Sequence, residues 1–266
     1  MSISWDEQLK LLPSDIVAND EFGYSVDIHN NYAIVGARLQ NSGTRAEGGV
    51  AYIYKKNDND EIWSEQSTLI TSDAATFDQA GHCVSIYGDY AAVGSMRETS
   101  STGAIYIFKK DDNDEWSQQQ KLTASDKGSG DQFGGTLSMY ENYLVTTSVQ
   151  DAFSSTVTYS GSAYIFKKDE NSETWSEVAK LLPSDSQANN KFGNSISMYG
   201  DFIAVGWKWY NPGSASYSGA VIVFKNDGND NWSLTQKLRA SDTVQWDQFS
   251  MGLDMEGDYI VVGAAA

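Results

Sequence analysis

One pattern recurs five times along the 266 residues, and it constrains the fold more than any other feature. A tryptophan, a polar stretch and a Ser-Asp pair run from Trp5 to Asp15, Trp63 to Asp73, Trp116 to Asp126, Trp175 to Asp185 and Trp232 to Asp242. The steps are 58, 53, 59 and 57 residues. After a short loop each copy continues with Phe22-Gly23, Ala80-Gly81, Phe133-Gly134, Phe192-Gly193 or Phe249-Ser250. An apolar run then ends at Ala37, Ser95, Ser148, Trp207 or Ala264. A further run follows in the first four copies: VAYIYKK, AIYIFKK, SAYIFKK and AVIVFKN. Self-similarity of this kind marks an array whose units bury their apolar faces on their neighbours.

Each unit reads as four short strands rich in Val, Ile, Tyr and Phe, separated by turn residues. Between the first and second strands stand Asn30-Asn31, Gly88-Asp89, Glu141-Asn142, Gly200-Asp201 and Gly257-Asp258, suited to tight hairpins that need positive φ. No helical period is visible. Runs such as YAIVGA and AIYIFKK are apolar throughout, as expected of strands covered on both faces. The expected fold is all-β: a β-propeller of four-stranded antiparallel blades, about five blades' worth of repeats with an incomplete closing blade. The units are approximately 16–73, 74–126, 127–185, 186–242, and 243–266 completed by 1–15. Two readings stay open: a five-bladed ring closed by a three-stranded blade, or a segment of a longer array with exposed sheet edges. The second implies self-association through those edges.

Composition narrows the function. The formal charge is −18, with 36 acidic against 18 basic side chains. So acidic a surface disfavours nucleic acid, whose recognition needs clustered Lys and Arg, and anionic lipid equally. Cys83 is the single cysteine, which excludes an internal disulfide; with His29 and His82 the only histidines, multi-His and Cys-based metal sites are excluded too. No nucleophile elbow, phosphate loop or HExxH motif appears. No signal peptide and no run of about 20 apolar residues is present, so no membrane insertion is expected.

The Phe-Gly step followed by Gly-Ala resembles the FG-GAP repeat, the blade unit of integrin alpha-subunit propellers, and it is similar to the variant of extracellular bacterial and protist proteins. The GDYAIVGA-like, GAAYIFKK-like and Trp…Gln-Lys-Leu segments carry that likeness across essentially the whole chain. The resemblance implies an extracellular or cell-surface recognition, adhesion or structural module that binds protein partners and is not an enzyme. Integrin-type repeats often hold an Asp-x-Asp-x-Asp-Gly calcium loop between strands one and two. Here that place is a bare turn such as Tyr87-Gly88-Asp89-Tyr90, so no cofactor is expected, with weak calcium binding the minority reading. The third unit also departs, with Thr146-Thr147 in place of Val-Gly.

The repeated tryptophans are expected to pack between blades. The acids after each Ser-Asp are expected to cap local turns, and the acidic tips of the strand-three-to-four hairpins to be solvated. Candidate ligand-binding residues lie in the loops between strands two and three, the most variable segments. They are Trp207, Trp209, Tyr210 and Tyr217 in the fourth unit, Phe153 and Tyr159 in the third, and Arg38, Arg45 and Arg97 in the first two. Exposed aromatics offer large rigid contact area to a protein or a sugar. Three of the four arginines on one face suit an acidic partner or anionic glycan. The alternative to protein binding is a carbohydrate-binding propeller that uses the aromatic loop residues. An enzyme with acids in a central channel is a third, minor reading.

Overall fold

The computed structural model describes residues 9–59, 62–152, 159–183, 185, 189–211 and 217–265. The first sheet is a meander of β1 (Phe22–His29), β2 (Tyr32–Ala37), β3 (Val50–Lys56) and β4 (Trp63–Leu69). The second holds β5 (Cys83–Tyr87), β6 (Tyr90–Ser95), β7 (Ala104–Lys110) and β8 (Trp116–Leu122). The third holds β9 (Phe133–Tyr140), β10 (Tyr143–Ser148), β11 (Ser162–Lys168) and β12 (Trp175–Leu181), and the fourth β13 (Phe192–Tyr199), β14 (Phe202–Trp207), β15 (Ala220–Asn226) and β16 (Trp232–Leu238). A fifth sheet has two strands among the described residues, β17 (Leu253–Glu256) and β18 (Tyr259–Val262). All pairings within the sheets are antiparallel, and the sheets do not close into a barrel. The one helical turn among the described residues, Glu98–Ser101, is irregular.

Turn chemistry explains the meander. Asn30, Gly88, Glu141, Gly200 and Gly257, the first turn residue of every β-hairpin between strands one and two, have φ between 52° and 58°. Positive φ at that position is what a two-residue hairpin of the right twist demands. The next link is packing. Third strands are buried on both faces, as in VAYIYKK, whose first five residues are all buried. Ile34, Ala51 and Ile53 of the first blade close on Val84, Ile86 and Tyr106 of the second. Cys83, Ile105 and Ile107 then close on Leu137, Met139 and Phe166, and the series continues to the fifth sheet.

First strands also share a polar seam. Ser85 Oγ donates to Asp27 Oδ2 at 2.7 Å and accepts the Met139 N–H at 3.0 Å. Ser138 and Ser197 accept the N–H groups of Met198 and Met255 in the same way. The outer faces of the series are bare: Val26 is 67% exposed where its counterpart Val84 is 6%, and Val261 is 73% exposed where Ala92 is 0%. Residues 9–15 lie along the first blade, with Leu11 against its core and the Ser14 N–H on Glu65 at 2.8 Å. Trp5, part of the expected closing strand, lies outside the described residues.

The family motifs meet across blade boundaries. A Cβ on Gly36 would lie 2.1 Å from the Gly81 carbonyl oxygen, and one on Gly94 would lie 2.7 Å from that of Gly134. Only glycine permits so close a backbone approach.

Candidate binding face

Two kinds of loop gather at one end of the blades. The loop between strands two and three of each blade is laced by backbone hydrogen bonds to the connection that enters the next blade. Gln79 N–H donates to Glu47, Phe133 N–H to Thr102, Phe192 N–H to Ser160 and Phe249 N–H to Ser218. The expectation that these loops share a face is therefore met, and each pair forms one composite rim.

Most acids on this rim are already employed. Asp20, Asp78, Asp131 and Asp247 accept the N–H three residues upstream, from Val17, Ala75, Gly128 and Val244, which is the expected turn capping. Burial lifts the Asp78 and Asp131 carboxyls above their ordinary range, with those N–H bonds opposing it. The Ser-Asp acids reach further than local capping. Asp15 accepts from Tyr52 at 2.6 Å, and Asp126 from Tyr164 at 2.8 Å and Lys180 at 2.6 Å. Asp73 and Asp185 accept from Lys121 and Lys237. Among the described residues no group of three or more His, Cys, Asp or Glu converges as a metal site would require.

The candidate aromatics divide. Trp207 is fully buried: it ends β14 and packs between Phe192 at 6.0 Å and Tyr210 at 4.6 Å. It belongs to the core and cannot meet a ligand, because strand β14 carries it under the rim rather than into the loop. Tyr210 is half-buried beneath Lys237, whose Nζ lies 4.4 Å from its ring centre. Trp209 and Tyr217 are half-buried and touch edge to face at 6.0 Å, with Lys191 Nζ 4.3 Å over Trp209. Tyr217 stacks in turn on Trp246, with ring centres 4.5 Å apart and planes at 21°. Tyr159 is 49% exposed, and Phe153 lies outside the described residues.

The arginines divide as well. Arg38 lies 3.8 Å over the Tyr24 ring and pairs with Glu21 at 2.5 Å, which compensates its charge. Arg45 is exposed on a small turn bridged to Ser42. Arg97 is exposed and borders a groove of about 740 Å³. His82 is largely buried; desolvation first, then the charges of Arg38 and Arg97, lower its pKa to about 4.

Two rim residues stand out beyond those expected from the loops between strands two and three. Phe77 and Trp246 occupy one repeat position, each 54% exposed with φ of 71° and 74°. Their counterparts are Asn19, Gly130 and Asn189, residue types that tolerate left-handed backbone. Bulky aromatics there are strained. Aligning the five connections shows the substitution, but the left-handed backbone that gives it meaning is visible only in three dimensions.

Stacked four-stranded meanders, each sealed to the next by its first strand and its loops, define a repeat protein of the β-propeller type. The profile described as FG-GAP repeat matches residues 5–54, 63–108, 116–166, 175–224 and 232–266, and the chain belongs to the FG-GAP repeat family. No curated protein matches it. A crystal structure of a protein from Lactobacillus plantarum matches with a TM-score of 0.50 and 16% identity, over 82% of this chain and 55% of that one. The chain thus spans about half the length of that structure, and the likeness is one of fold.

Proposed function

We propose that the chain is a non-catalytic, extracellular recognition module that holds a protein partner against the composite rim. FG-GAP repeats are typically extracellular, and among the described residues no helix is long and apolar enough to cross a membrane. The observation that carries the reading is Trp246. A large apolar side chain, 54% exposed, is kept in a left-handed position and pre-stacked on Tyr217. Strain of this kind costs on the order of 1–3 kcal/mol and is not repaid by burial, so a contact outside the chain is the economical explanation. Rigid aromatic area is also what interface hot spots use. The acids of the rim support the non-catalytic reading, being engaged in capping or in bonds to the next blade.

The test is binding to arrays of cell-surface proteins and glycans by the wild type and by Trp246→Asn combined with Tyr217→Ala. Specific capture that disappears in the variant, at unchanged melting temperature, is expected. No specific capture, or capture indifferent to the substitutions, would overturn the reading. The alternative is a sugar-binding propeller that uses Trp209, Tyr210, Tyr217 and Tyr159. It draws on the edge-to-face contact of Trp209 with Tyr217 and on the exposed ring of Tyr159.

A further inference from the structure

A groove lies at the second blade, away from the Trp246 cluster. One wall is the connection that enters the blade, Asp73 to Asp78; the other is the Arg97–Ser101 turn, with Gln132 at the end. Its volume, about 740 Å³, is within the range of small-ligand sites.

Two observations mark this groove as built rather than incidental. Its far wall is a run of three non-glycine residues with positive φ: Thr99 at 42°, Ser100 at 59° and Ser101 at 60°. Left-handed conformation ordinarily occurs in single residues, because the Cβ crowds the following carbonyl. The near wall carries Phe77, itself left-handed and 54% exposed. Both walls therefore hold backbone with positive φ at non-glycine residues, and such strain collects at ligand clamps.

The charges in the groove are unequal. Glu98 is buried and paired with Lys121 at 2.7 Å, and Asp73 pairs with the same lysine at 2.7 Å. The Arg97 guanidinium has no carboxylate partner among the described residues. Asp78, the third carboxylate of the lining, accepts the Ala75 N–H at 2.6 Å. The remaining chemistry is the Arg97 guanidinium, one exposed aromatic face, and the hydroxyls and amide of Thr99, Ser100 and Gln132. A guanidinium fork binds a carboxylate bidentately. Hydroxyls and amides both donate and accept, as a polyol requires.

We propose that this groove binds a pyranose bearing a carboxylate, with Arg97 on the carboxylate, the ring against Phe77, and the sugar hydroxyls on Thr99, Ser100 and Gln132. The chain's charge of −18 repels a polyanion over distances of about a Debye length, roughly 8 Å in physiological salt. The ligand is therefore a single terminal acidic sugar rather than a stretch of charged polymer. This inference rests on the reading of the rim as a recognition surface, but it concerns another blade and other residues.

The test is titration of the full chain with methyl glucuronoside, methyl glucoside and hexaglutamate, followed by NMR. The glucuronoside is expected to bind in the millimolar range, about tenfold tighter than the glucoside, and Arg97→Ala to erase that preference. Phe77→Asn is expected to abolish binding of both sugars with the melting temperature unchanged or raised, since asparagine tolerates this backbone. Trp246→Asn is expected to leave glucuronoside binding intact, which separates this site from the fifth-blade cluster. Three results would each overturn the proposal: no glucuronoside binding, equal binding of the two sugars, or a lower melting temperature for Phe77→Asn, which would make Phe77 a structural residue. Hexaglutamate binding as tightly as the glucuronoside would reassign the groove to acidic peptides and would overturn it as well.

Discussion

The hydroxyl of Tyr32 donates to Asp114 Oδ1 at 2.5 Å, tying the second strand of the first blade to the outer hairpin of the next. Lys55 Nζ, from the same blade as Tyr32, meets the other oxygen of that carboxylate at 2.5 Å, and Trp116 sets its edge on the Tyr32 ring at 6.1 Å. The clasp repeats. Lys109 pairs with Glu173 and Tyr90 packs on Trp175; Lys167 and Tyr143 hold Asp230, with Trp232 beside Tyr143. Asp114 and Asp230, expected to be solvated, thus join Glu173 in fastening the second, third and fourth blades each to the one before, while Asp112, Asp169, Glu170 and Asp227 are exposed as expected.

Asp114→Asn should lower stability by about 1 kcal/mol, the scale of a charge-assisted bond in a part-exposed site. Lys55 and then Tyr32 hold the Asp114 carboxyl well below its ordinary range. Its contribution is complete above the unfolded value, near 4, and is lost as pH falls through the lower folded value. Denaturant titrations at pH 7 and pH 3 should show the wild-type advantage shrinking at the lower pH.

His82 gives a dependence in a different window. Its folded pKa, about 4, lies below the unfolded value near 6.5, so the unfolded chain binds more protons between the two. Stability should fall as pH drops from about 6.5 toward 4, by roughly 3.4 kcal/mol at most. Replacement by asparagine should flatten this slope, and the His82 ring resonances should titrate near pH 4 rather than with those of a solvent-exposed histidine.

Gly161→Ala should cost about 2–4 kcal/mol. Its φ is +80°, and an added Cβ would stand 2.0 Å from the carbonyl oxygen of Phe192 in the next blade. Chemical denaturation would check this; a loss below about 1 kcal/mol would mean that the backbone yields at the junction.

Glu141→Gly should raise stability by about 0.5–1 kcal/mol. Glu141 is exposed with φ of 52° at a turn position where three sister copies carry glycine and one asparagine. Thermal melting of the single variant is sufficient.

The blades were legible in the sequence because their physics is local: apolar strands of fixed length, glycine and asparagine where φ must be positive, and a tryptophan marking each outer strand. That Trp116, Trp175 and Trp232 pack between blades followed from repetition, but their tyrosine partners did not. The clasps were not legible, since Tyr32 and Asp114 are 82 residues apart and a run of acids looks the same whether solvated or paired. Trp207 misled because the other copies place Ala37, Ser95 or Ser148 at the end of the second strand, so a tryptophan there read as the start of a loop. Arg38 is spent on Glu21 and Tyr24, and Arg97 is not; only coordinates separate them.

The second, third and fourth family matches each start at the tryptophan of an outer strand, Trp63, Trp116 or Trp175, and run into the third strand of the following blade. A unit of inheritance therefore straddles a unit of architecture. Duplication or loss of one stretch from tryptophan to tryptophan swaps an outer strand for its equivalent, so a gene of this kind can gain or shed a blade in a single recombination without orphaning a strand.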